Sequence, residues 1–228
     1  MQVTGKHPRH NFLVERVAFF SDAIFAIAIT LMIIEIHPPK VFHDESDAQA
    51  WADFEHLLPE FLGLFVSFWL IGSSWLRHHH LFRYVDNFDS KFMTVNLALL
   101  FFIILFPFST SYLFNSLFQG GVTRLQVFFY LGVPFFANVI LLMLYKQVNR
   151  RHLKGTADKG FHIAISYQWS MVISFGLAIL WIGVMPFEYH PFGYFFLGLI
   201  PLLPLISRKK INKKHAQPTR SAADQERS

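Results

Sequence analysis

Two polar side chains stand next to each other inside an apolar stretch that is long enough to cross a membrane. Residues 19 to 36 read FFSDAIFAIAITLMIIEI, and this run carries Ser21 and Asp22 near its start. An aspartate at the centre of a membrane helix costs about 2.5–3.5 kcal/mol, so such a residue normally faces protein or water. The pair therefore predicts either a functional site or a polar contact that holds helices together.

A histidine run, His78-His79-His80, is the second group of side chains able to do chemistry. A buried carboxylate and an imidazole can pass protons between them, so Asp22 with His78 or His79 would suit a proton relay. Clustered histidines also build metal sites, but such sites draw on several histidine groups. Here His152 and His162 are isolated and carboxylates at helical spacing are lacking, so we expect no metal, no cofactor and no enzyme.

These side chains must be positioned by helices that cross a membrane, and the composition of the chain predicts such helices. Hydrophobic residues make up 53% of the chain, and 28 residues are Phe. A helix needs about 20 apolar residues to cross a hydrocarbon core of about 30 Å. Six segments approach this length: 12–37, 58–80, 92–117, 123–147, 161–185 and 190–207. The predicted fold class is an all-α membrane protein with six transmembrane helices.

The positions of Lys and Arg predict the orientation, because cytoplasmic loops collect basic residues. Basic residues lie before the first span, between the second and third, between the fourth and fifth, and after the sixth. The connection after the first span is mainly acidic. Both termini are therefore predicted to be cytoplasmic, with residues 1–207 as the membrane domain and 208–228 as a basic, disordered tail.

Three other protein classes are disfavoured by the sequence. A cleaved signal peptide would explain the small residues around Ile27, but the apolar run continues to Ile36, which favours a permanent span. The chain has no cysteine, which excludes disulfides and thiolate metal sites. Its basic pI of about 9.5 reflects the flanks of the spans, which face the lipid bilayer, and we expect no nucleic-acid partner.

A helical wheel of the first span separates an aliphatic stripe from the polar pair. Ile27, Leu31 and Ile34 lie within about 60° of one another, with Thr30 on the flank, at about 100° per residue. Asp22 points about 140° away from Ile27 on the same wheel. The stripe can meet lipid, a neighbouring helix or a pore, and the wheel alone leaves these open.

The start of the first span carries a motif that narrows this choice. Arg16-x-x-x-Phe20-Ser21-Asp22 resembles the RxxxFSD signature of the endolysosomal transmembrane-protein-175 potassium channels and their bacterial relatives. Matching companions are Trp75-x-x-His78-His79 at the end of the second span, then Asn96-Leu97 and Phe106-Pro107-Phe108 in the third. The likeness is strong through three spans and rests on hydropathy beyond them.

The resemblance implies an assembly and a pore. Bacterial relatives carry one six-span unit per chain, so it implies a homotetramer in the bacterial inner membrane. It implies that the first helix lines a central pore whose narrowest point is aliphatic, in place of a TVGYG carbonyl filter. By their position in the first span, the residues that the resemblance assigns to the constriction are Ile27, Leu31 and Ile34, with Thr30 beside them. Glu35, near the outer end of the span, would concentrate cations at the outer mouth.

The polar pair keeps two interpretations. Asn96 and His78 or His79 lie near the depth of Ser21 and Asp22, so they are expected to bond to this pair and fix the helix register. Arg16 is expected at the inner mouth or paired with a neighbouring group. A potassium channel, weakly selective over sodium, is the main prediction, and its motif residues are then architectural: Arg16, Phe20, Ser21, Asp22, Trp75, His78, His79 and Asn96. The alternative is a proton-coupled secondary transporter that uses the Asp and His pair as a relay.

Overall fold

The computed structural model describes residues 8–36, 46–116, 121–152 and 159–185. All regular structure in these ranges is helical. The helices are α1 (Pro8–Ile34), α2 (Asp47–Phe82), α3 (Ser90–Ile104), α4 (Phe106–Phe114), α5 (Arg124–His152) and α6 (Lys159–Val184). The chain divides into two compact units, Met1–Arg151 and His152–Ser228, so α1 to α5 build the first unit and α6 belongs to the second.

Five helical stretches within the described ranges are long and apolar enough to cross a membrane. They are Phe12–Ile34, Asp47–Phe82, Ser90–Phe114, Arg124–Arg150 and Gly160–Val184. They coincide with the first five predicted spans, so the helical membrane architecture is confirmed to that extent. The sixth predicted span, 190–207, and the predicted tail, 208–228, lie outside the described residues.

Helix α2 begins earlier than the sequence predicted. The prediction placed its start at residue 58, whereas the helix starts at Asp47 and runs for 36 residues. Ser46 explains the difference, because its hydroxyl accepts from the Gln49 N–H while the Gln49 side chain accepts from the Ser46 N–H. This reciprocal cap satisfies N-terminal amides and starts the helix ahead of its apolar part. Pro59 lies inside the helix without ending it.

The third span is broken in its middle. Helix α3 ends at Ile104 and α4 begins at Phe106, with Leu105 between them. Pro107 accounts for the break, because it has no N–H to donate to the carbonyl of Ile103 and its ring crowds the preceding turn. Only Leu105 separates the two halves, and the Ser109 N–H of α4 donates to the Leu105 carbonyl at 2.9 Å.

Helix α1 packs against α2, α3 and α4 through one face. The buried residues of this face are Val17, Ser21, Phe25, Ala28 and Met32. Their spacing of three or four residues is that of a single helical stripe. The opposite face of α1 is not covered by the described part of the chain, which leaves its aliphatic side chains exposed.

Helix α5 joins this group through one buried and two partly buried hydrogen bonds to α2. The Tyr130 hydroxyl lies 3.0 Å from Ser67 Oγ, and Arg77 Nη2 donates to Asn138 Oδ1 at 3.0 Å. The Tyr145 hydroxyl donates to the Arg77 carbonyl at 2.9 Å. Side-chain hydrogen bonds between membrane helices contribute about 0.6 kcal/mol each on average, so the three together fix the pairing of α2 with α5.

Gly63 allows α2 and α4 to approach closely. A Cβ atom added at Gly63 would lie 2.5 Å from Cγ of Phe114 on α4. Small residues at such contacts let helix backbones pack tightly in membranes, where packing drives association. Gly72 lies nine residues further along α2, on the opposite side of the helix, and has nothing within 4 Å of an added Cβ.

We therefore expect Gly63→Ala to lower the melting temperature of the purified protein, and Gly72→Ala to leave it nearly unchanged. Overpacking of this kind costs about 1–3 kcal/mol, because the Phe114 ring must move. Thermal unfolding of the two variants in the same detergent is the measurement. Adding Phe114→Leu to Gly63→Ala should restore part of the loss. Equal melting temperatures for Gly63→Ala and Gly72→Ala would contradict the close approach.

Candidate pore-lining face and its polar helix junction

A directed chain of buried hydrogen bonds joins α1, α2 and α3. His78 Nε2 lies 2.9 Å from Asn96 Oδ1, Asn96 Nδ2 donates to Ser21 Oγ at 3.0 Å, and Ser21 Oγ donates to the Val17 carbonyl at 2.9 Å. Ser21, His78 and Asn96 are each at most 1% exposed. An amide oxygen only accepts, so the His78 Nε2 proton points to Asn96 and each donor in the chain has an acceptor.

Asp22 has a different partner from the one that the sequence suggested. Its Oδ1 accepts a hydrogen bond from the indole nitrogen of Trp75 at 2.9 Å, and the bond is partly buried. A bond from Asp22 to His78 or His79 was expected, and that expectation is wrong for this structure. His78 is committed to Asn96, whereas His79 is exposed and lies against the Trp75 ring at 5.8 Å.

Two aromatic rings lie against the imidazole of His78. The Phe82 ring centre lies 4.6 Å from the imidazole centre and that of Phe25 lies 5.4 Å away. These contacts hold the imidazole in the orientation that reaches Asn96. The histidine run is thus divided, since His78 is buried while His79 is exposed, and in the described residues no group of three or more His, Asp or Glu is placed to hold a metal.

The aliphatic stripe of α1 lies on the face away from this junction. Ile27 is 56% exposed, Leu31 40% and Ile34 68%. Phe20 and Arg16 continue the exposed face toward the N-terminus of the helix, and the Arg16 guanidinium lies 5.8 Å from the ring centre of Phe12. The structure thus separates the predicted residues into a packed polar set and an exposed aliphatic set.

Thr30 lies beside the stripe, and its hydroxyl proton is engaged in hydrogen bonds within α1. Its Oγ1 donates to the carbonyls of Ala26 and Ile27 at 3.1 and 2.9 Å, within its own helix. The side chain is exposed, so the hydroxyl oxygen still presents lone pairs outward. In this state Thr30 can accept from water or contact a cation.

Glu35 lines a pocket that the sequence did not reveal. The pocket has about 240 Å³ of empty space, part of it open, and Glu60 of α2 lines it together with Thr110 and Asn115 of the third span. Glu60 Oε2 is shielded from solvent and has no hydrogen-bond partner in the described part of the chain. Glu60 falls inside the predicted span 58–80, so the rule that singled out Asp22 would have found it.

These features define a class of protein. The described residues hold five helices long and apolar enough to span a membrane, and side-chain hydrogen bonds join α1 to α2 and α3 within the first unit. The chain is a multi-pass α-helical membrane protein. Residues 16–107 match the family model described as endosomal/lysosomal potassium channel TMEM175.

Individual relatives agree with this match. The chain is 31% identical over 199 residues to a potassium channel from Chryseobacterium sp. (strain P1-3), which covers 87% of this chain and 95% of that protein. It is 38% identical over 86 residues to the endosomal/lysosomal proton channel TMEM175 of Danio rerio, which covers 36% of this chain and 16% of that protein.

A solved structure has the same fold. The crystal structure of a lysosomal potassium-selective channel TMEM175 homolog from Chamaesiphon minutus aligns with a TM-score of 0.68 at 23% identity, over 86% of this chain and 97% of that chain. The chain belongs to the TMEM175 family. This is a family of ion channels and not of enzymes.

Asn96 is the residue on which the polar junction depends, since it bonds to both other helices. Asn96→Leu leaves His78 and Ser21 buried without their amide partner, and an unsatisfied buried group costs about 1–3 kcal/mol. We expect a lower melting temperature and less folded protein by size-exclusion chromatography. Thr94→Leu is the matched control, because Thr94 is exposed on the same helix and bonds only to the Ser90 carbonyl. Equal stability of the two variants would contradict this role.

Proposed function

We propose that this chain forms a potassium-favouring cation channel, a homotetramer around a central pore lined by α1. The observation that carries the proposal is the division of α1 into two faces. One face packs on α2, α3 and α4 of the same chain, while Ile27, Leu31 and Ile34 stay exposed on the other. Its relatives are named as channels for potassium or protons, and four copies of the exposed face can enclose a path.

The proposed constriction works through dehydration. Four symmetry-related Ile27 side chains would form a hydrophobic ring, which passes an ion only when it is wide enough to keep some water. Potassium sheds water more readily than sodium, so such a ring favours potassium weakly and without a TVGYG filter. The exposed Thr30 oxygen, close to one turn from Ile27, would replace part of the lost hydration. Permeant potassium is the ligand of this site, and no cofactor is required.

The remaining architecture is proposed from the sequence. Residues 190–207 supply a sixth span, both termini are cytoplasmic, and 208–228 form a basic tail, because this arrangement places every cluster of Lys and Arg on the cytoplasmic side. An even number of spans then returns the chain to its starting side. In this orientation Arg16 lies at the inner end of α1 and Glu35 at the outer end.

The transporter alternative has weaker support. A proton relay needs Asp22 and a histidine to exchange a proton. Asp22 instead accepts a hydrogen bond from the indole N–H of Trp75, which is a donor only and does not exchange its proton near neutral pH. His78 bonds the amide of Asn96, which holds no transferable proton. The geometry therefore favours an architectural role for the motif residues.

Ion flux in proteoliposomes tests the proposed function. Purified protein is reconstituted under opposed potassium and sodium gradients, and the reversal potential is read with and without a proton gradient. A current that follows the potassium gradient supports the channel. Uptake that occurs only with a proton gradient would replace the channel by the transporter, and a reversal potential set by protons alone would make the chain a proton channel.

Glu35 gives a prediction on conductance. We expect Glu35→Gln to reduce potassium current at an ionic strength of about 0.01 M and to have little effect at about 1 M, where the screening length falls to about 3 Å. Four carboxylates at the outer mouth raise the local cation concentration only when salt does not screen them. Glu15→Gln, at the other end of α1, is the control for applied outer potassium. A loss that is independent of salt would contradict the electrostatic role.

A further inference from the structure

An exposed aromatic and aliphatic stripe runs along the first half of α2. Its residues and their exposed fractions are Trp51 68%, Phe54 43%, Leu58 52%, Phe61 39%, Leu62 57% and Phe65 68%. Their spacing of three and four residues places them on one side of the helix. The Trp51 and Phe54 rings are stacked with centres 5.7 Å apart, and the Phe54 and Phe61 rings lie 6.4 Å apart.

The opposite side of α2 is the side that packs on its own chain. Pro59, Gly63 and Ser67 are buried there, and Gly63 faces Phe114 of α4. Before Pro59 the helix extends beyond this packed part, since residues 46–52, 54 and 55 are exposed on every side and Asp53 is half-buried. The stripe therefore points away from the first compact unit, and its occupant must come from outside the described part of the chain.

The length of α2 places the start of the stripe at the lipid headgroups. Its 36 residues reach about 54 Å at about 1.5 Å per residue. The hydrocarbon core is about 30 Å thick and the bilayer with its headgroups about 40–45 Å. Even when tilted, α2 crosses the headgroup layer as well as the core. Trp51 and Phe54 then lie at the level where Trp is enriched in membrane proteins.

We propose that the α2 stripe around Trp51 and Phe54 is a lipid-interface anchor, whose occupant is the zwitterionic headgroup layer of the membrane. Residues 46–60 contain no Lys or Arg, and Asp47 and Glu55 lie beside the stripe. Ammonium groups of zwitterionic lipids complement these carboxylates, whereas anionic lipids would be repelled. A second copy on this stripe would instead bring the same carboxylates of two chains together.

The chain has no cysteine, so single spin labels can be placed without removing native residues. Labels at Trp51→Cys, Phe54→Cys and Leu58→Cys report the stripe, and labels at Ala52→Cys and Asp53→Cys report the other side. The protein is reconstituted in phosphatidylcholine nanodiscs. Collision with oxygen, which concentrates in lipid, is compared with collision with a water-soluble nickel chelate.

The anchor predicts that oxygen collisions exceed nickel collisions at positions 51, 54 and 58, and that the order reverses at 52 and 53. Low access to both reagents with spin–spin broadening would place a second copy on the stripe, and high access to nickel would leave it in water. Either result overturns the proposal. In protein without labels, brominated phosphatidylcholine should quench the fluorescence that is lost in Trp51→Phe. These readings are independent of ion flux, so they stand or fall separately from the channel.

Discussion

Ile27→Asn is expected to remove the potassium preference of the channel while leaving it conducting. Four asparagine amides in place of four isoleucines keep water in the narrowest ring, so an ion no longer has to lose hydration there. Each loss of about 1.4 kcal/mol in the difference between the potassium and sodium barriers lowers the permeability ratio about tenfold. Ile27 is 56% exposed in the single chain, so the change should leave the packed face of α1 intact. The reversal potential under opposed potassium and sodium gradients measures the effect.

Ile33→Asn is the matched control for this experiment. Ile33 is 52% exposed on the same helix but lies about 120° from Ile27 on the helical wheel. Both substitutions add the same polar group at a similar exposure, so they share any general effect on membrane insertion. Only the residue that faces the pore should change the reversal potential. An unchanged potential in Ile27→Asn, or an equal change in both variants, would remove Ile27 from the constriction.

The helix faces of α1 could be predicted from the sequence because helical periodicity fixes them. The wheel placed Ser21 and Asp22 away from Ile27, and in the structure Ser21 is buried while Ile27 is exposed. The extent of α2 was less predictable, since hydropathy detects the apolar part of a helix and not its cap. Ser46 and Gln49 extend α2 into polar sequence, where the hydropathy signal ends.

The partner of Asp22 could not be predicted for a related reason. Trp75 and His79 are four residues apart and so lie on the same side of α2. Sequence gives their common side, but the rotation and depth of α2 against α1 decide which of them reaches Asp22. In the structure the longer indole makes the bond and the imidazole is exposed. Asn96 was predictable as a partner of Ser21 because it is an amide inside a span at matching depth.

The hydrogen bond from Trp75 to Asp22 determines what a substitution at Asp22 should do. Asparagine keeps the Oδ1 acceptor that Trp75 Nε1 uses, so Asp22→Asn should assemble and conduct nearly as the native chain does. Leucine removes the acceptor and leaves the indole N–H unsatisfied, with a loss of about 0.6–1.7 kcal/mol per subunit for a hydrogen bond between membrane helices. We expect Asp22→Leu to give less assembled protein by size-exclusion chromatography and a lower melting temperature.

The pair of variants separates the channel from the transporter more sharply than either variant alone. In a proton-coupled transporter the carboxylate itself carries the proton, so Asp22→Asn would abolish proton-driven uptake although the protein still assembles. In the channel the carboxylate is an acceptor for Trp75, and flux follows assembly in both variants. Trp75→Phe supplies the last test, because Asp22→Leu should cost much less stability when the indole N–H is already absent. Additive losses in the double variant would show that the stability of α1 against α2 does not depend on this hydrogen bond.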